Sequence, residues 1–235
     1  MMQGVGMVYV FLLLGLVYPS PFTENQTKAD IQEVSKSNVT SYIAESVEEK
    51  RKIAITFDDG PNATYTPKLL DGLKERGVKA TFFLIGQNID KDNNREIVKR
   101  MYDEGHLIGN HTYHHVEITR VSNEKAYEEI MMGNEAIQNV TGQEVEYMRP
   151  PFGLWQRKLE QKIHVMPVMW NIDPLDWATE NVDEIVNKVV TQAEENDIIL
   201  LHDCYDSSVK AALRIIDLLE AEGFEFVTVD ELILD

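Results

Sequence analysis

KIAITFDDGPN, running from Lys52 to Asn62, decides how this chain folds. Its first six residues alternate apolar with other side chains, the period-two signature of a strand, and Asp58-Asp59-Gly60-Pro61 breaks that strand into a tight turn. Just downstream, Leu69, Leu70 and Leu73 recur at helical spacing over 66–76, and Gly77 stops the pattern. The same succession then repeats along the chain. Strands are expected at 79–85, 106–109, 146–148, 165–171, 197–201 and 225–227. Helices are expected at 94–104, 123–140, 154–162, 182–194 and 207–222, with a last turn at 230–233. Seven or so β/α units in roughly 185 residues predict an α/β fold on a parallel sheet, open or closed into a barrel.

Upstream of that region the composition changes. Residues 1–27 hold no Lys or Arg, and Val8–Tyr18 (VYVFLLLGLVY) is uncharged and apolar. The run falls short of the roughly 20 residues that span a bilayer and suits a secretory h-region. Residues 1–22 are therefore expected to be a signal peptide or N-terminal membrane anchor, which places the protein outside the cytoplasm. Residues 23–50 read as a polar spacer and 51–235 as the folded domain. The whole chain, 235 residues long, carries 22 Lys+Arg against 40 Asp+Glu, a net charge of −18. Such acidity argues against nucleic acid as a partner, because phosphate-backbone binding rests on clustered Lys and Arg. Its lone cysteine, Cys204, excludes an intrachain disulfide and any multi-cysteine metal site.

Polar residues fall in a telling place on this scheme. Asp58 and Asp59 end the first strand, His111 and His115 follow the third, and Arg149 follows the fourth. Asp173 and Asp176 follow the fifth, while His202 and Asp203 end the sixth. These are C-terminal strand ends, where barrel and open α/β enzymes place their chemistry. Taken singly, the groups say little: two adjacent Asp are common in turns, and a His after an apolar strand is often a core residue. His111 and His115, four apart, would lie on one side of a helical turn and could reach one ion. With a carboxylate they make a His₂-carboxylate set that leaves positions open for water and substrate.

TFDDGPN (Thr56–Asn62), HTYHH (His111–His115), RPPFG (Arg149–Gly153), DPLDW (Asp173–Trp177) and LLHD (Leu200–Asp203) together resemble the five ordered motifs of polysaccharide deacetylases. This is the NodB-homology group, carbohydrate esterase family 4. The resemblance covers about residues 51–235 and implies a distorted (β/α) barrel. The implied reaction is metal-dependent hydrolysis of N-acetyl groups on N-acetylglucosamine polymers such as peptidoglycan or chitin.

Roles follow from the resemblance residue by residue. Asp59, His111 and His115 would hold a divalent ion, in most members Zn²⁺. Asp58 would be the general base, oriented and kept ionised by Arg149. His202 would be the general acid that protonates the departing amine, its charge favoured by Asp176. The backbone N–H of Phe152, within the Pro151–Phe152 turn, would help hold the oxyanion. Trp177 and Leu200 would wall the slot for the acetyl methyl. The protein is expected to act as a monomer, meeting a membrane only through its N-terminus. Three alternatives stay open: a catalytically inactive carbohydrate-binding protein on the same fold, an O-acetyl esterase, and another metal-dependent hydrolase on a related barrel. The 51–235 region has a net charge of −15, which gives no long-range attraction to an anionic polymer.

Overall fold

Five consecutive residues of strand β1 (Arg51–Asp58), Ile53 to Phe57, are fully buried. A strand covered on both faces belongs in the middle of a parallel sheet, so here both phases of the period-two pattern face protein. The computed structural model describes residues 50–234 except residues 92 and 161; the expected leader and nearly all of the spacer lie outside the described residues. On one side β1 pairs with β2 (Thr81–Leu84) and on the other with β6 (Ile198–His202), both parallel. From β2 the sheet continues through β3 (Leu107–Asn110) and β4 (Tyr147–Met148) to β5 (Met166–Pro167), while β7 (Phe224–Phe226) pairs with the first residues of β1. Beyond β5 the chain turns back, and Ile172 forms a parallel bridge to Ile199 of β6. The parallel sheet thus curls into a half-barrel, the form taken here by the expected distorted barrel.

Helices cover the outside. In α1 (Thr66–Arg76) the expected Leu69, Leu70 and Leu73 are buried, and Gly77 at φ 67° closes the helix in a left-handed conformation that costs glycine little. Then come α2 (Gly86–Ile89), α3 (Asn94–Asp103) and α4 (Asn123–Thr141). Ser122 caps α4 by accepting the Lys125 N–H at 3.2 Å. Asn181 caps α5 (Val182–Val190) in the same way, ahead of α6 (Asp206–Ala221) and α7 (Val229–Leu234). Apolar faces of α1 and α6 pack on β1, β2 and β6, where Phe57 and Phe82 stack at 5.3 Å.

Two expected elements shrink. Among the described residues, the helix expected at 154–162 is a single 3-10 turn, Arg157–Leu159. Phe152 and Gly153 stand at φ 61° and 68° just before it, and Leu159 and Ile163 still reach a small cluster with Ala126 and Ile130 of α4. The strand expected at 165–171 pairs only at Met166–Pro167: the Val168 N–H makes the last bond to β4, at the Met148 carbonyl, and the chain then departs to reach β6.

Candidate active site

The C-terminal ends of β1, β3, β4 and β6 meet at one cavity of about 510 Å³. Asp58 is the last residue of β1, and its register partner on β6 is His202. Asp59 follows in a left-handed conformation, φ 72°, with its carbonyl fixed by Asn88 of α2 at 2.8 Å. His111 directly follows β3. The stretch 111–115 is not the expected helical turn: Thr112 and His115 stand at φ 63° and 56°, which no right-handed helix admits. The two imidazoles nevertheless approach to 4.9 Å between ring centres.

Three side chains converge with their donor atoms within 4.8 Å of one another: Asp59, His111 and His115. Each imidazole Nε2 lies 3.4 Å from Asp59 Oδ1. That oxygen is buried and has no hydrogen-bond partner from the protein, a costly state for a carboxylate unless a cation completes it. His111 donates its Nδ1–H to the Arg149 carbonyl at 2.6 Å, since a carbonyl can only accept, and so Nε2 keeps its lone pair toward Asp59. Burial pushes its pKa down to about 3, which keeps the ring neutral and able to ligate. Two nitrogens and a carboxylate oxygen, with one orphaned acceptor at their centre, fit a divalent metal ion.

Arg149 holds Asp58 in place. Fully buried, it donates from one nitrogen to Asp58 Oδ1 at 2.9 Å and to Thr56 Oγ1 at 2.6 Å, and it also reaches the carbonyls of Val168 and Met169. The expected orientation of Asp58 is therefore present. Its expected ionisation is not simply secured: burial raises the Asp58 pKa above the usual carboxylate range, against the pull of the Arg149 charge and then of His202. A carboxylate so poised is a better proton acceptor than a surface one.

Across the cavity, Asp176 in the 3-10 turn Asp176–Ala178 accepts two bonds from His202. Its Oδ1 takes Nδ1–H at 2.8 Å and its Oδ2 takes the main-chain N–H at 2.9 Å. Burial lowers the His202 pKa, but the Asp176 hydrogen bond and charge, then Asp58 and Asp59, outweigh it and raise it to about 9. The imidazolium therefore points Nε2 toward the cavity near neutral pH. Neither remaining candidate takes this place. Asp173 accepts the Leu175 N–H, and buried Asp203 accepts the Thr66 hydroxyl at 2.5 Å. Cys204, its thiol pushed up to about 12 by burial, supplies no thiolate.

Trp177 and Leu200 line the cavity where the resemblance put them, Phe152 adds its ring to the same wall, and Trp177 at 56 % exposure is no core aromatic. Pro151 does not line it: Pro151 is buried beneath the turn, and Pro150 takes the wall position instead. The wall also includes Trp170 and Tyr205, which sequence reasoning missed. Trp170 lay inside an expected strand with nothing to mark which face it took. Tyr205, three residues past His202, was within reach of a motif-neighbour argument. A larger recess of about 650 Å³ lies among Lys74, Arg95, Lys99 and Arg100, whose charges are matched by Glu104, Asp90, Asp103 and Asp71. It brings none of these groups together.

Compared with known families, residues 45–168 match the model described as polysaccharide deacetylase. The chain belongs to the polysaccharide deacetylase family. The family match takes in Asp58, Asp59, His111, His115 and Arg149 and ends before Asp176 and His202. Over 203 residues this polysaccharide deacetylase is 38 % identical to a Bacillus cereus protein named peptidoglycan-N-acetylglucosamine deacetylase, covering 83 % of this chain and 94 % of that one. Over 229 residues it is 31 % identical to the Listeria monocytogenes protein named peptidoglycan-N-acetylglucosamine deacetylase PgdA, covering 94 % of this chain but only 49 % of the relative. The chain thus spans about half the length of that relative. Among solved structures, peptidoglycan deacetylase PdaC of Bacillus subtilis superposes with a TM-score of 0.75 at 36 % identity, over 78 % of this chain and 90 % of the other.

Proposed function

We propose that this protein is a metal-dependent hydrolase that removes N-acetyl groups from N-acetylglucosamine units of a polysaccharide, peptidoglycan or a chitin-like oligomer, and releases acetate. One observation carries the reading: a buried carboxylate, Asp58, and a charged imidazole, His202, face one cavity from paired strands, beside a His₂-Asp cluster with an unsatisfied oxygen. The names of the relatives from Listeria and Bacillus support the substrate class. Asp59, His111 and His115 would hold the ion, Zn²⁺ in our reading. When bound, such an ion supplies Lewis acidity, polarising a carbonyl oxygen and acidifying water.

The protein's own groups do the rest. Asp58 takes the proton of the attacking water, and Arg149 keeps the receiving oxygens aimed. The Phe152 main-chain N–H, at the turn beside His115, donates to the carbonyl oxygen as it gains charge. Trp177 and Leu200 take the acetyl methyl between apolar surfaces. His202 then gives its Nε2 proton to the departing sugar amine, so that the amine leaves neutral and acetate remains. The N-terminal segment is read as an export signal or anchor, which would put the enzyme where cell-wall polymer is found.

Mass spectrometry of N-acetylglucosamine oligomers and of peptidoglycan digests, after incubation with zinc-loaded protein, tests the reading. Loss of acetyl groups with release of acetate is expected. If every sugar amide stays intact while an O-acetylated sugar is hydrolysed, the N-deacetylase reading fails.

A further inference from the structure

The loop that carries His111 and His115 is held in an unfavourable shape. Two of its five residues, Thr112 and His115, stand in the left-handed region although neither is glycine. Such a backbone persists only where its surroundings over-determine it. Those surroundings are one face of α4. Asn110 accepts the Thr112 N–H at 2.7 Å and donates to the Ile130 carbonyl at 2.8 Å. Gly133 lets this happen, since a Cβ there would overlap the Asn110 amide.

Glu129, one residue before Ile130, is fully buried and lies outside the ligand and acid–base sets. Its Oε2 accepts the His114 main-chain N–H at 2.9 Å and its Oε1 accepts His114 Nδ1–H at 2.9 Å. Lys125 reaches Oε1 from one turn earlier at 3.0 Å, and the Glu129 carbonyl accepts the Tyr113 N–H at 3.1 Å. Thus the main-chain N–H groups of the two residues before His115 both end on a single residue of α4. His114 turns its ring toward Glu129, whereas His115 aims at Asp59.

We infer that Glu129 is a positioning residue for the metal site: its carboxylate clamps His114 so that the next residue, His115, is held at ligating geometry before any ion arrives. The inference rests on the metal-site reading above. It acts through the main chain, so its effect belongs to ion affinity rather than to the acid and base across the cavity.

The test is Zn²⁺ affinity of the full-length protein, measured by competition with a chromophoric chelator, with circular dichroism melting alongside. Glu129→Leu removes both acceptors at similar size and is expected to weaken Zn²⁺ binding about 10-fold or more, the usual effect of losing an outer-shell partner. Glu129→Gln keeps one acceptor oxygen for the His114 N–H and is expected to fall between, about threefold weaker than wild type. Should the Leu variant fail to fold, the Gln variant decides alone. Wild-type Zn²⁺ affinity in a folded Glu129 variant, with or without a lower melting temperature, overturns the positioning role while leaving the site intact. If His111→Ala also binds Zn²⁺ as wild type does, the metal-site reading itself has failed and the inference falls with it.

Discussion

Replacing Asp176 by Asn keeps the shape of the His202 partner and removes its charge. In the native site the His202 pKa stands near 9 against an ordinary 6.5, although burial alone would push it down. A displacement of that size corresponds to about 3 kcal/mol in favour of the imidazolium, at about 1.4 kcal/mol per pH unit. Asp176 supplies the leading favourable contributions, a 2.8 Å hydrogen bond and a full charge, while Asp58 and Asp59 add less. Loss of a neighbouring opposite charge is worth about 1–3 pH units. The alkaline limb of the pH–rate profile should therefore move down from about 9 toward or below neutrality, the sign expected for a cation deprived of its anion. A fall of about 2 units would leave the rate below pH 6 nearly unchanged and cut it roughly tenfold or more at pH 8. The assay is kcat/KM against pH on one soluble N-acetylglucosamine oligomer, with NMR titration of His202 in the free protein as a readout independent of turnover. The zinc content should not change, because Asp176 is outside the ligand cluster. An alkaline limb that stays in place or moves upward would refute the assignment of Asp176 as the group that keeps the acid protonated.

Substituting Ala for His111 or His115 should abolish tight binding of a divalent ion, whereas His114→Ala should keep it at one per chain; elemental analysis of the purified variants separates the adjacent histidines. Asp58→Asn should retain the ion yet lose about 10²–10⁴-fold in kcat, and a variant keeping more than about a tenth of the wild-type rate would remove Asp58 from the role of base. His106, far from the chemistry, gives a stability test of opposite sign to His202. Burial lowers its pKa from 6.5 to about 4, and its Nδ1 accepts the Ala80 N–H. The folded protein thus binds this proton less readily than the unfolded chain. Its contribution should be complete above about pH 6.5 and decline by up to about 3 kcal/mol as pH falls toward 4. Urea unfolding at pH 7.5 and pH 4.5 should show a smaller loss of stability for His106→Asn than for wild type; equal losses would mean that His106 does not titrate as argued.

Much of the fold was legible because its signals are periodic. β1 and α1 stand where alternation and the Leu69–Leu73 spacing put them, and their neighbours follow from the β/α succession. Asp58, His111, Arg149 and His202 stand at strand ends as expected, since a parallel sheet delivers all its C-terminal ends to one side, whereas Asp173 and Asp176 lie well past β5, beyond the bridge of Ile172 to β6. What stayed hidden is aperiodic. Nothing in HTYHH marks Thr112 or His115 for left-handed backbone, because that shape is imposed by Glu129 and Asn110 from outside the segment. The false helix at 154–162 arose the same way: its apolar spacing is real, but one 3-10 turn suffices to bury Leu159 and Ile163. Trp170 and Tyr205 reach the cavity through the departure of the chain from β5 and the entry into α6, neither of which has a pattern of its own. The net direction of the Asp58 shift was also beyond reach, since it depends on how deeply the end of β1 is buried.

The pairing of Asp58 with His202 across β1 and β6 has a consequence for how this sequence can change in length. Asp58 and His202 sit opposite one another in a parallel ladder, their separation fixed by hydrogen-bond register. A single residue inserted into or deleted from either strand would slide one partner by about 3.3 Å and turn its side chain to the other face of the sheet. Between Arg51 and Asp58, or between Ile198 and His202, no such change can be absorbed locally. Between Val116 and Val121, or between Leu154 and Val165, none of the described residues is in the ladder, and extra residues can loop outward without disturbing the partners. Insertions and deletions accepted during divergence should therefore gather in those two connections and be absent from the two strands.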